Sequence, residues 1–153
     1  LPNLWVHGDF VSRNEAGMWF VYGRSDDTLK IAGKRTGPSE IEALLLATGL
    51  LQDAATIGVP DPIKGTAVVC VCVPRDGIDQ IAGTKILSAA VVAGLGGAFK
   101  PAQIVFVPDL PRTRNMKVMR RVVRAAWLGE DAGDLSTLIN PEAVAAIRAA
   151  RTP

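Results

Sequence analysis

The chain has 153 residues, nearly half of them apolar and about a fifth charged, and a net charge of +2. That is enough chain for one domain with a core and the composition of a globular protein. It excludes a wholly basic nucleic-acid binder, so any basic function must be local. No apolar run is long enough to span a membrane. Cys70 and Cys72 lie two apart in an apolar run, where a strand would point both to one face. They cannot easily bridge each other, and no metal-ligand cluster surrounds the single His7. The expectation is a pair of buried thiols in a reducing cytoplasm, and no metal site.

In chain order, the opening LPNLWVHGDF lacks an initiator Met and begins mid-pattern, so the chain is expected to be a piece of a longer one. FVSRNEAGMWFVYG reads as a hairpin, with strands over 10–13 and 18–22 and a turn at 14–17. This hairpin has too little apolar surface to fold alone. The polar cluster GRSDD breaks the pattern, which places a boundary near Asp26 and divides 1–25 from 26–153. TLKIAGKR predicts a short strand and a glycine turn. GPSEIEALLLAT predicts a helix, with Pro38 in its first turn, Glu40 and Glu42 facing the N-terminal dipole, and Ile41, Leu44 and Leu45 as its apolar stripe.

AATIGVP and TAVVCVCVP predict two strands joined by the turn PDPIKG, the second apolar enough to be central. A helix follows over 81–95, weakened by Gly83 and Gly94, then a strand at AQIVFVP. DLPRTRNMK reads as a loop, 118–128 as a helix, and a last short helix begins at Pro141. This order implies an α+β fold, a small mixed β-sheet with helices packed on it.

Two constellations could carry chemistry. In GRSDDTLKIAGKRTGPSEIE, Gly33 gives a tight turn and close backbone approach, with Arg24, Lys30, Lys34 and Arg35 around it. Those cations could hold phosphate or simply be solvated. In RTRNMKVMRR, five basic groups stand without an acid. In a helix from Lys117, Arg120, Arg121 and Arg124 would fall on one side. Spacing alone leaves open a solvated face, an anion patch, or one lysine aimed at a reaction.

Taken together, HGDF…GMWFVYGRSDDTLKIAGKRTGPSEIE, AATIGVPDPIKG and LPRTRNMKVMRR resemble, in order and spacing, the C-terminal region of AMP-forming acyl-CoA synthetases. These belong to the adenylate-forming superfamily, with luciferases and peptide-synthetase adenylation domains. The closing GDLSTLINPEAV is similar to the tail of acetyl- and propionyl-CoA synthetases. The resemblance implies an acid–CoA ligase. A carboxylate would attack the α-phosphorus of ATP to give acyl-adenylate and pyrophosphate, and the coenzyme A thiol would then displace AMP. It implies a missing large N-terminal adenylation domain as partner, to which residues 1–25 belong, and a mobile lid over 26–153. It implies a small carboxylic acid as substrate, Mg2+ with ATP but no ligands for it here, and neither nucleic-acid nor membrane partners.

Carried over position by position, the resemblance makes Asp9 the acid that holds the ribose hydroxyls. Arg24 contacts ribose and phosphate near the hinge, and Arg35 contacts nucleotide phosphate. Asp26 becomes the hinge. Gly33 lies on the loop facing the CoA thiol, and Lys117 is the catalytic lysine between carboxylate and α-phosphate. There are departures. Asn115-Met116 stands where the family usually has Ser-Gly, which bears on loop flexibility. Ala32 stands where the family has a serine or another small residue. Val92 occupies a position that is often basic and meets the CoA phosphate, with Lys100 the nearby cation. Two other readings compete: an adenylate-forming ligase that passes its acyl group to a carrier-protein thiol or another acceptor, and an RNA- or DNA-binding module built on 112–124. The latter lacks interleaved exposed aromatics.

Overall fold

A computed structural model describes residues 8–24 and 27–151. The first element is the expected hairpin, β1 (Asp9–Arg13) with β2 (Trp19–Arg24), closed by the turn in which Gly17 N donates to Asn14 O. Leu29–Ile31 (β3) runs, as expected, into a glycine turn at Ala32 and Gly33. It pairs antiparallel with a second strand, Lys34–Thr36 (β4). Leu29 and Ile31 are buried, so the base of this hairpin is fixed in the core.

Helix α1 (Pro38–Ala47) follows, with Pro38 in its first turn and Ile41 and Leu45 fully buried. Glu40 lies in the first turn, where it suits the helix dipole as expected, but Glu42 falls beyond it. Only 6% of Glu42 is exposed, and its carboxylate is used inside the molecule. The central sheet has the order β5 (Leu51–Asp61), β6 (Gly65–Pro74), β7 (Gln103–Phe106). β6 lies in the middle, antiparallel to β5 and parallel to β7. The parallel step needs a crossover, supplied by α2 (Gln80–Leu95), whose first turn is capped by Asp79 accepting from Ile81 N and Ala82 N.

The apolar run of β6 is explained by cover on both faces. Cys70 and Cys72 share one face with Val68, packed against Ile41 and Leu45 of α1 and Leu87 and Val91 of α2. Val69, Val71 and Val73 point the other way, onto Val122, Val123 and Trp127 of α3 (Arg120–Leu128) and Val144 and Ile147 of α4 (Pro141–Ala150). The architecture is mixed α+β, with helix pairs on both sides of a small sheet. Gly94, which costs α2 helix propensity, lets α1 come close: a Cβ there would lie 2.6 Å from Leu44 Cδ1. Among the described residues no helix is long and apolar enough to cross a membrane.

Candidate functional site

Lys117 sits on a short hairpin-like loop, not at the start of a helix. Thr113 N donates to Lys117 O at 2.9 Å, and Met116 N donates to Thr113 O at 2.8 Å. Arg112 and Val118 form an isolated bridge behind them. Met119 N is bound to Pro111 O at 2.8 Å. These bonds spend the backbone of 117–119 on the loop, which is why α3 begins at Arg120 and not at Val118. Met116 has φ +60°, a left-handed conformation that a glycine would adopt freely and a methionine adopts with strain. The position where the resemblance implies glycine keeps the glycine conformation without the glycine.

The backbone around Lys117 is held, and its side chain is not. Lys117 N also donates to Thr113 Oγ1 at 3.2 Å. The side chain is exposed and has no hydrogen bond or ion pair among the described residues. Its neighbours are engaged. Arg112 donates Nη2 to Asp53 Oδ2 at 2.6 Å, Nε to Asp109 Oδ1 at 3.1 Å and Nη1 to Met116 O at 3.3 Å. Burial alone would lower the Arg112 pKa, but these two carboxylates outweigh it and hold it above its ordinary value. Asn140, buried, ties the same corner by donating to Asp109 Oδ2 and Leu110 O and accepting from Arg112 N.

Arg120 opens α3 at the positive end of its dipole, an unfavourable place for a cation. Glu42 compensates: Arg120 Nε donates to its Oε1 at 2.8 Å, Nη2 closes on Oε2, and Thr56 N donates to Oε1 at 2.8 Å. The hydrogen bonds that Arg120 donates to Glu42 hold its pKa above the ordinary value, against the opposing effect of burial. Arg121 donates to Asp134 O, and Arg124 to Gly58 O and Glu130. A cleft of about 430 Å3 runs between β3 and α3, lined by Lys30, Arg120, Arg121 and Arg124, but its arginines are already paired. Most of the basic run is therefore paired within the fold, Arg112 and Arg120 half-buried and Arg121 and Arg124 at the surface. Asp53 and Asn140 were not found from the sequence, because they meet Arg112 only across 59 and 28 residues; Asp109, three residues before Arg112, was a local partner that the sequence reading missed.

Gly33 is the second turn residue of β3–β4. Ile31 pairs with Lys34, leaving a two-residue loop in which Ala32 has φ +48° and Gly33 φ +80°. Positive φ at both positions is the type I′ signature. A Cβ built on Gly33 meets nothing within 4 Å, so the turn tip projects into open space. Arg35 is exposed on β4 and lies opposite Lys30, on the face away from buried Leu29 and Thr36. Asp9 and Arg24 are brought opposite each other as partners in β1–β2. The expected hinge, Asp26, lies outside the described residues.

The profile of the AMP-binding enzyme C-terminal domain matches residues 40–117, just over half of the chain, from α1 to Lys117. The chain belongs to that family. Over 144 residues this AMP-binding C-terminal domain is 38% identical to the acetyl-coenzyme A synthetase of Methanothrix thermoacetophila, covering 94% of this chain and 22% of that protein. It is 41% identical over 137 residues to the 3-hydroxypropionyl-coenzyme A synthetase of Metallosphaera sedula, covering 89% of this chain and 21% of that protein. Among solved structures, ATP-bound MatB from Rhodopseudomonas palustris superposes with a TM-score of 0.71 at 29% identity, over 80% of this chain and 24% of that one. The chain thus spans about a fifth of the length of these curated relatives. It is related to acid–CoA ligases and carries the fold of their C-terminal domain. Among the described residues no group of three or more His, Cys, Asp or Glu side chains could hold a metal ion.

Proposed function

We propose that this chain is the mobile lid of an AMP-forming acid–CoA ligase that activates a small carboxylic acid, acetate- or propionate-like, with ATP and passes it to coenzyme A. The observation that carries the reading is Lys117: an exposed ammonium without a partner among the described residues, on a backbone held at every hydrogen-bonding group. Such a charge is preorganised and spends nothing on breaking an ion pair before it meets substrate. Placed between a carboxylate and the α-phosphate, it would stabilise the negative charge that accumulates as the acyl–phosphate bond forms. It moves no proton.

The thiol step calls on the other hairpin. The empty space beyond Gly33 leaves room for a pantetheine arm to pass the turn, and Arg35 beside it would meet nucleotide phosphate. Asp9 and Arg24, paired across β1–β2, would hold the ribose side of the nucleotide. The exposed Val11, Met18, Trp19 and Val21 of that hairpin support placing residues 1–25 with a large adenylation domain, and 26–153 with the lid that turns at Asp26. Mg2+ would arrive with ATP and take its ligands outside this chain.

The test is product analysis of the full-length protein with ATP, acetate or propionate, and free coenzyme A. AMP, pyrophosphate and acyl-CoA should form together. Acyl-adenylate that transfers only to a carrier-protein thiol or another acceptor would contradict the CoA assignment.

A further inference from the structure

We propose that Arg112 is the positioning residue for Lys117, an inference that rests on the catalytic reading of Lys117. The guanidinium uses its nitrogens in two directions. Nη2 and Nε are anchored to Asp53, at the start of β5, and to Asp109. Nη1 reaches across the hairpin to Met116 O at 3.3 Å. That carbonyl belongs to the peptide whose nitrogen is the Lys117 amide, so Arg112 grips the plane from which the lysine side chain departs. Only 15% of the Arg112 side chain is exposed, while the Met116 end of the clamp lies at the surface.

The need for a clamp is visible at Met116. A non-glycine residue at φ +60° would relax if it were not held, because the left-handed region is unfavourable for it. Relaxation would rotate the 116–117 peptide and re-aim Lys117. An arginine is suited to this work and a lysine is not, because the planar fork satisfies Asp53, Asp109 and Met116 O at once. Arg112 touches no reacting atom in this account and acts through Lys117.

The experiment uses the full-length protein with Arg112→Lys. Asp53→Asn serves as a second variant, which keeps the arginine and weakens its anchor. Two quantities are read: hydrogen exchange at the 116–118 amides, and the separate rates of acid-dependent ATP–pyrophosphate exchange and of thioester formation from supplied acyl-adenylate. The expected result is faster amide exchange confined to the hairpin and pyrophosphate exchange slowed at least about tenfold, since misplacement by 1 Å can cost ~100-fold. Thioester formation should stay within about twofold, a change too small to reflect a misplaced reacting group. In a Lys117→Ala background, Arg112→Lys should slow pyrophosphate exchange no further. Unchanged amide exchange, or equal loss in both half-reactions, would overturn the proposal. If Lys117→Ala alone spared pyrophosphate exchange, the reading of Lys117 would fall, and the amide exchange would still decide whether Arg112 holds the hairpin.

Discussion

Among the described residues, two sit in the left-handed region without being glycine, Ala32 and Met116, and each precedes a candidate site residue. The strain at such a position is about 1 kcal/mol, partly offset in a glycine variant by the greater freedom of the unfolded chain. Met116→Gly should therefore raise the stability of the chain by up to about 1 kcal/mol in urea unfolding; a loss of stability would mean that the methionine side chain contributes packing that its exposure does not suggest. Gly33 presents the reverse case. Its would-be Cβ has free space but a φ of +80°, so Gly33→Leu adds strain and a protruding side chain without a clash inside the fold. Gly33→Asn, better tolerated at positive φ, separates backbone strain from obstruction. If obstruction of the thiol is what matters, leucine should slow thioester formation much more than asparagine does.

At the scale of elements, the pair Glu42–Arg120 joins α1 to the start of α3. The carboxylate side chain is 9% exposed and the guanidinium 28%. Removing one partner strands the other, so Glu42→Ala should cost about 3 kcal/mol, whereas a paired replacement by apolar residues should recover most of it. Comparison of the urea midpoints of Glu42→Ala and Glu42→Met/Arg120→Leu checks this. Strand β6 offers a second test. Burial pushes the Cys70 thiol from an ordinary value of 9.0 up to about 12, and burial raises Cys72 as well. Above pH 9 the unfolded chain releases protons that the folded chain retains. The stability from these groups is complete below that pH and falls as pH rises toward 12. Replacing both cysteines by alanine should flatten the decline in urea midpoint between pH 9 and 11; an undiminished decline would place its origin elsewhere.

Most elements were legible in the sequence, because each reports its own periodicity. Ile41 and Leu45 mark a helix, and the apolar run from Val68 to Val73 marks a central strand covered on both sides. β4 was not legible, since Lys34–Thr36 is polar and short and becomes a strand only by pairing with β3. The start of α3 was misjudged for a related reason: Val118 carries helical pattern, but its backbone is committed to Arg112. Among the candidate site residues, Lys117, Gly33 and Arg35 could be singled out by chemical type and by resemblance. Glu42, Asp53 and Asn140 could not, because their roles exist only after distant segments meet.

For the molecule as a whole, Lys117 and Gly33 lie on separate hairpins of one domain. A lid that serves two half-reactions would have to present them in turn. Asp26→Pro would fix φ near −65° at the proposed pivot; in the full-length protein it should leave one half-reaction intact and slow the complete reaction. A variant running the full cycle at the parent rate would remove Asp26 from that role. The most direct measurement of the central claim is a single-turnover comparison of Lys117→Ala and Gly33→Leu in the full-length protein, with acyl-adenylate formation and its conversion to acyl-CoA timed separately. The account predicts a crossed pattern. Lys117→Ala should stop acyl-adenylate formation while converting supplied acyl-adenylate at the parent rate, and Gly33→Leu should accumulate acyl-adenylate that it converts slowly. Parallel loss of both steps in both variants would contradict it.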